Sequence, residues 1–159
     1  MPKNFSPDVN LEEEFSQRLV DLSRVTRVVA GGKRLRFRAC VVIGNKKGKV
    51  GYGVAKGNDV ALALEKANRL AQKNIIDVPI IDKTIPYEVE AKFKAAKIIL
   101  RPAGEGKGVK AGGVVRIILE LAGIENATGK ILGSKNKINN VKATFKALET
   151  LKIRKKTLS

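Results

Sequence analysis

Every second side chain along residues 34–43 is apolar, and the positions between them are polar as far as residue 38. A period of two predicts a β-strand with one buried face. Residues 44–48 have a composition typical of a turn, and residues 49–56 are predicted to return as a second strand. In this second strand Gly51 and Gly53 would leave the backbone open to close approach. The polar positions of the first strand begin with three basic residues that would project together: Arg34, Arg36 and Arg38. The pattern predicts a hairpin with one basic face.

A helix is predicted directly after this hairpin. Asn58 is expected to cap its N-terminus, with Asp59 in the first turn, and its apolar stripe would pack on the apolar face of the hairpin. An earlier strand over residues 19–29 completes a unit of three strands and one helix. Pro79 marks the end of this unit, because proline disfavours helical geometry in the residue before it.

The second half of the chain predicts the order strand, strand, helix, strand, helix. These elements are expected over residues 84–91, 95–100, 114–122 and 127–132, with a last helix capped by Asn139 or Asn140. The fold class is therefore α+β, with a sheet-plus-helix unit followed by a small α/β domain. We predict a flexible acidic tail at residues 1–21, a first domain at 22–82, a second at 83–151 and a basic tail at 152–159.

The charge balance indicates a polyanionic partner. The 159 residues carry 32 Lys and Arg against 15 Asp and Glu, a net charge of +17. No apolar run approaches the ~18 residues that span a bilayer, and no signal-peptide core is visible, so we expect no membrane partner and an intracellular protein. One cysteine and no histidine argue against a disulfide, a metal site and the usual catalytic pairs. We therefore predict no enzymatic activity, no cofactor and no small-molecule substrate.

The basic residues of the first domain are the main binding candidates. Hardly any acid lies among them, and mutual repulsion disfavours so many cations together unless phosphates neutralise them. A solvated strand face is the alternative. Aromatic residues are sparse, so recognition of RNA backbone and shape is favoured over base stacking. The candidates are Arg24, Arg27, Lys33, Arg34, Arg36, Arg38, Lys46, Lys47, Lys49 and Lys56.

A glycine-rich loop at residues 103–113 contains a second candidate site. Gly106, Gly108 and Ala111 satisfy a Gly-x-Gly-x-x-Gly/Ala dinucleotide pattern, but fewer than ~70 residues follow the domain boundary and they begin with an apparent hairpin rather than parallel strands. Alternatively, the loop amides, with Lys107 and Lys110, contact RNA phosphate or a neighbouring carboxylate. A nucleotide-binding enzyme stays open as a minor alternative.

The hairpin also carries a family signature. Gly32, Lys33, Phe37 and Ala39, then Gly44-Asn45, then Val50-Gly51-x-Gly53 and Asp59 before an Ala-rich helix, resemble ribosomal small-subunit protein five. The resemblance extends over residues 22–151. It implies that the first domain is similar to double-stranded-RNA-binding domains and binds 16S-type rRNA, with the loop of Gly31, Gly32 and Lys33 reaching the RNA. A free-standing RNA-binding module is the other class left open.

Two further blocks carry the same resemblance. Arg101–Ala103, Gly106–Gly108, Ala111–Gly113 and Arg116 are similar to the family's second block. The resemblance implies contact with ribosomal small-subunit proteins four and eight, for which Gly108 and Arg116 are candidates. A pair of Arg116 with Glu120 on its own helix is the equal alternative. Ser134, Lys135 and Asn136 match the family's Gly-Ser-x-Asn turn and are rRNA candidates, with Lys137 where the family usually has proline.

The family resemblance implies a cellular role as well. It implies a structural constituent of the small ribosomal subunit, in the cytoplasm or in an organelle. It also implies a place near the channel through which mRNA enters, and an influence on subunit assembly and decoding accuracy.

Overall fold

The first half of the molecule is an antiparallel sheet backed by one helix. The computed structural model describes residues 15–151, with only the backbone of Arg27 and Arg34; the predicted tail at 152–159 and most of the acidic tail lie outside the described residues. The elements are β1 (Ser16–Val29), β2 (Gly32–Gly44), β3 (Lys49–Gly57), α1 (Val60–Lys73) and β4 (Ile76–Asp77), and the sheet order is β1-β2-β3-β4.

The second half forms another sheet with helices against it. Its elements are β5 (Val89–Phe93), β6 (Ala96–Pro102), β7 (Val109–Lys110), α2 (Gly113–Ala122), β8 (Ala127–Gly133) and α3 (Lys137–Thr150). The sheet order is β5-β6-β8-β7, antiparallel except for β7 with β8. The α+β class and the order of the main elements are confirmed, with the two-residue strands β4 and β7 added.

The first strand starts earlier than the sequence predicts. The strand predicted over residues 19–29 also includes residues 16–18, which we assigned to the acidic tail, because β2 is long enough to pair with them as far as Ser16. A register shift between Leu19 and Asp21 marks a bulge, and Val20 inside it is buried in the main apolar core. Burial of this side chain fixes the early residues of the strand in the sheet.

Helix α1 packs close to the sheet because glycines face it. A Cβ at Gly53 would lie 2.0 Å from the carbonyl oxygen of Ala67, and one at Gly51 would lie 2.5 Å from that of Ala71. The close approach predicted at these glycines is thus made by the chain's own helix. Asp59, not Asn58, caps this helix by accepting a hydrogen bond from the amide of Leu62 at 2.8 Å.

One apolar core spans both halves of the chain. Cys40, Val42 and Val50, on the sheet face away from α1, are fully buried with residues of the second half. The ring of Tyr52 contacts that of Phe145 with centroids 4.7 Å apart. The second half therefore covers one end of the first sheet, and residues 78–85 join the two halves with Ile85 also buried in this core.

Candidate nucleic-acid interface

The other end of this sheet face carries cations. Arg38 lies opposite Lys56 in the β2–β3 register, and Arg36 has the same parity along β2 as Arg38. Residues directly opposite in an antiparallel pair share a face. Arg36, Arg38 and Lys56 therefore project together, as the alternation predicts for the two arginines, beyond the point where the second half stops covering the sheet. We call these three residues the cationic end of the first sheet.

The cationic end has unused hydrogen-bonding capacity. Ser23 is the register partner of Arg38. The hydroxyl oxygen of Ser23 and the Nε atom of Arg38 are buried and have no hydrogen-bond partner among residues 15–151. Buried polar groups are normally paired, so the contacts of Arg38 and Ser23 within the sheet leave part of their hydrogen-bonding capacity unmet.

The register divides the remaining predicted cations between the two sheet faces. Arg24 lies opposite Phe37, and Lys33 lies opposite Val28. Both therefore project from the α1 side of the sheet, away from Arg36 and Arg38. Arg27 and Arg34 are backbone register partners. The expectation that these cations form one face is wrong for Arg24 and Lys33, because the parity of β1 and β2 places them on the other one.

Among residues 15–151 nothing packs against the two glycines of the β1–β2 turn. A Cβ built at Gly31 or Gly32 would meet no described atom within 4 Å, and Gly32 has a φ of +140°. At this positive φ a residue with a side chain would be strained, so Gly32 is required by the turn itself. The exposed Lys33 follows directly. The turn is therefore accessible to a large partner, as its assignment to rRNA requires.

The predicted RNA contacts at the other hairpin tip have a structural role. The amides of Lys46 and Gly48 donate hydrogen bonds to the carbonyls of Leu121 and Ala122, at 2.9 and 2.8 Å. These are the last carbonyls of α2, which a helix leaves unpaired. Lys46 and Lys47 are exposed at this helix C-terminus, where a positive charge is favourable. Lys49 lies at the start of β3, opposite Asp77 of β4.

The tip is shaped by an asparagine. The buried Asn45 accepts hydrogen bonds on Oδ1 from the amides of Lys47 and Lys49, at 2.8 and 3.0 Å. Such a side-chain turn sets the backbone that presents the amides of Lys46 and Gly48 to α2. We call residues 45–48, together with Leu121 and Ala122 at the end of α2, the interdomain joint.

The glycine-rich loop is fixed to β8. The amide of Gly108 donates to Oδ1 of the buried Asn126 at 2.9 Å, and the carbonyl of Gly108 accepts from the amide of Ala127 at 3.1 Å. A phosphate-binding loop needs free amides, so the pairing of Gly108 argues against a dinucleotide site here. Lys107 and Lys110 are exposed on either side of Gly108.

The last predicted site residues are held mainly by local contacts. Nε of the exposed Arg116 donates to Oε2 of Glu120 at 3.1 Å, the intrahelical pair that the sequence left open. Asn136, rather than Asn139 or Asn140, caps α3 by accepting from the amide of Asn139, and Ser134 accepts from the amide of Asn136. The helix begins earlier than expected, because these side chains satisfy its first amides. Lys135 is exposed.

The thiol of Cys40 is buried and is not activated as a nucleophile. Burial raises the pKa of its thiol from 9.0 to about 12, and the negative charge of Asp21 acts in the same direction. Burial also raises the pKa of Tyr52.

Among residues 15–151 no three His, Cys, Asp or Glu side chains cluster in a way that would hold a metal ion. None of the described helices is long and apolar enough to cross a bilayer.

Sequence reasoning missed a set of basic residues on the second sheet. Lys92, Lys97, Arg101 and Lys130 share one of its faces with Lys110. The signal was present as alternation within residues 97–101 and 128–132. It was overlooked because each run is short.

The architecture and its cationic surfaces define a basic α+β protein that combines a helix-backed sheet with a second α/β unit. Family models for ribosomal protein S5 match in two places, the N-terminal domain over residues 15–79 and the C-terminal domain over residues 91–157. The small ribosomal subunit protein uS5c of Spinacia oleracea is 50% identical over 143 residues, which are 89% of this chain and 46% of that protein. The chain belongs to the ribosomal protein S5 family, and it spans about half the length of this curated relative.

Proposed function

We propose that the chain is a structural constituent of the small ribosomal subunit that binds 16S-type rRNA through the cationic end of the first sheet. The observation that carries this proposal is the grouping of Arg36, Arg38 and Lys56 on one sheet face, farther along β2 and β3 than the residues that pack in the core with the second half. Family membership supports it. The complex forms in the small subunit of a cytoplasmic or an organellar ribosome, and no enzymatic step is involved.

The mechanism is electrostatic and steric. Cations that neutralise phosphates release counterions, which provides most of the sequence-independent affinity. The open turn at Gly31 and Gly32 brings Lys33 to the RNA from the end of the same hairpin. In this proposal residues 22–82 supply the main RNA contacts, and residues 83–151 hold the sheet rigid at its covered end. The basic loop positions Lys107, Lys110 and Lys135 add contacts from the second domain.

The second domain also docks on neighbouring proteins. We assign this role to Arg116 and the loop at Gly108, with ribosomal small-subunit proteins four and eight as partners. Arg116 is exposed and its pair with Glu120 is solvent-accessible, so it can exchange this partner for another carboxylate at small cost. Through these contacts, and a position near the channel where mRNA enters, the protein influences subunit assembly and decoding accuracy.

The test replaces Arg36 and Arg38 by glutamine and measures binding to a 16S-type rRNA transcript over a series of KCl concentrations. We expect the slope of log affinity against log salt to fall by roughly one unit per lost phosphate contact. Lys66→Gln with Lys73→Gln on the exposed side of α1 removes the same charge and serves as the control. Equal slopes for the two variants would contradict the assignment of the cationic end.

A second measurement tests the cellular role. The tagged chain should sediment with the small subunit in a sucrose gradient and stay there after a high-salt wash. Recovery only at the top of the gradient would favour the free-standing RNA-binding module instead.

A further inference from the structure

The second sheet has one face that its helices do not use. Ile98 and Leu100 of β6 are buried in the core with residues of α2 and α3, and a Cβ at Gly129 of β8 would meet Val115 of α2 at 3.0 Å. The helices therefore lie on this side. The side chains of opposite parity form what we call the open face of the second sheet: Glu90, Lys92, Lys97, Ile99, Arg101, Lys110, Thr128, Lys130 and Leu132.

The register brings the cations of the open face close together. Lys92 of β5 lies opposite Lys97 of β6, and Lys130 of β8 lies opposite Ile99. Arg101 and Lys110 both lie opposite Thr128, one on each side of β8. Neighbouring strands are ~5 Å apart and alternate residues along a strand ~7 Å apart. Each of the four strands thus contributes at least one basic side chain to this face.

Carboxylates balance only part of this charge. Glu90 pairs with Lys97 and Glu88 pairs with Arg101, both at 3.4 Å. Within residues 15–151, no carboxylate lies within the 4.0 Å ion-pair distance of Lys92, Lys110 or Lys130. These three ammonium groups leave the face with a net positive charge. An anion with several charges spaced along it, such as a phosphate backbone, would neutralise them.

The composition of the face favours a phosphate backbone over a protein. None of the large apolar side chains that are exposed in the described part of the chain belongs to it. Ile99 and Leu132 are half-buried, and lysine stems can cover them. Protein interfaces instead deplete lysine and enrich aromatic residues at their centre. The open face contains no aromatic ring, so only Arg101 could stack on a base, and contacts to the phosphate backbone are favoured.

We propose that the open face of the second sheet is a separate binding surface for the phosphate backbone of folded RNA, centred on Lys92 and Lys130. This inference rests on the proposed function only in taking RNA as the polyanion. It does not use the residues of the cationic end. The chain then contacts RNA from both sheets, which the joint between the domains holds in a fixed relation.

The test uses the full chain with Lys92→Gln and Lys130→Gln and a 16S-type rRNA transcript. Both side chains are exposed, so folding should be unchanged, as circular dichroism and thermal unfolding would verify. We expect the salt slope to fall by roughly two units and the affinity at low salt to fall roughly tenfold. The Lys66→Gln and Lys73→Gln variant is the charge-matched control, with an expected change of less than about threefold.

A conservative variant separates charge from any local distortion. Lys92→Arg with Lys130→Arg keeps both cations and should restore the slope and the affinity. If the glutamine variant matches the α1 control in both quantities, the open face does not bind RNA and the proposal is wrong. If RNA binding is unchanged but the variant no longer stays with the small subunit, an acidic protein occupies the face, which also overturns the proposal.

The outcomes distinguish this inference from the proposed function. Loss of salt slope in the open-face variant, with none in the Arg36→Gln and Arg38→Gln variant, would refute the cationic end while supporting the open face. An unmodified chain that shows no salt-dependent binding to the transcript would refute both.

Discussion

The two ends of one sheet face in the first domain have opposite environments. At one end Cys40, Val42 and Tyr52 pack under the second half of the chain. At the other end Arg36 and Arg38, on the same strand and of the same parity, lie beyond this cover. The apolar positions of β2 recur at every second residue through both ends, whereas the positions between them change from basic at Arg36 and Arg38 to apolar at Cys40 and Val42. Parity therefore identifies the face of the strand, and this change marks the end that is covered. The covering residues come from elements that start more than 60 positions later.

The largest loss of stability at the covered end is expected from a change at Gly44, which lies against α2. A Cβ at this position would lie 2.3 Å from the carbonyl oxygen of Leu121, which is backbone and cannot move aside alone. We expect Gly44→Ala to lower the free energy of unfolding by roughly 3 kcal/mol, since it separates the joint and its hydrogen bonds. Denaturant unfolding measures this.

Gly31 is the matched control for this change, because its Cβ would meet nothing within 4 Å. Gly31→Ala should change the free energy of unfolding by less than about 0.5 kcal/mol. A similar loss of stability for both variants would contradict the closeness of the joint.

The buried thiol of Cys40 should make the stability of the covered end depend on pH. Burial raises the pKa of Cys40 to about 12 in the folded chain, whereas the unfolded chain ionises near 9.0. Above pH 9 the unfolded state loses a proton that the folded state keeps, so stability falls as pH rises, by up to about 1.4 kcal/mol per pH unit. Unfolding of the unmodified chain and Cys40→Ala between pH 8 and 10 measures the difference. All other ionisable groups are common to both proteins, and parallel curves would show that the covered end is accessible to water.

The smallest effect is expected at Arg116. Its ion pair with Glu120 is exposed on both sides, so Arg116→Gln should cost only a few tenths of a kcal/mol. Thermal unfolding at low and high salt measures this change. A loss above about 1 kcal/mol would indicate that α2 depends on its surface pair rather than on the hairpin tip at its C-terminus.

Local patterns were sufficient for the elements of this fold. The period-two run that gives β2 and the Gly123 cap that ends α2 depend on residues close in sequence. Cap positions were less certain, because adjacent side chains compete for the same amides. Asp59 rather than Asn58, and Asn136 rather than Asn139, make the bond. The strands β4 and β7 have two residues each, too few for any period to be visible.

The candidate site was only partly predictable for a different reason. Arg36 and Arg38 share a face because they lie on one strand, and this follows from the sequence. The face of Lys33 also follows from parity, once β2 is known to begin at Gly32. The position of Arg24 depends on the register between β1 and β2, which the turn between Val29 and Gly32 sets. The role of Lys46 at the joint depends on α2, far along the chain. Such long-range contacts have no local signal.

The shared core also has a consequence for the order in which the chain folds during synthesis. The first sheet and α1 can form once residue 77 has been made, yet Val42 and Val50 stay exposed until residues 114–151 follow. A growing chain therefore presents an apolar surface beside strands already paired, which is the kind of intermediate that chaperones protect from aggregation. A protein truncated after the first domain would keep this surface permanently.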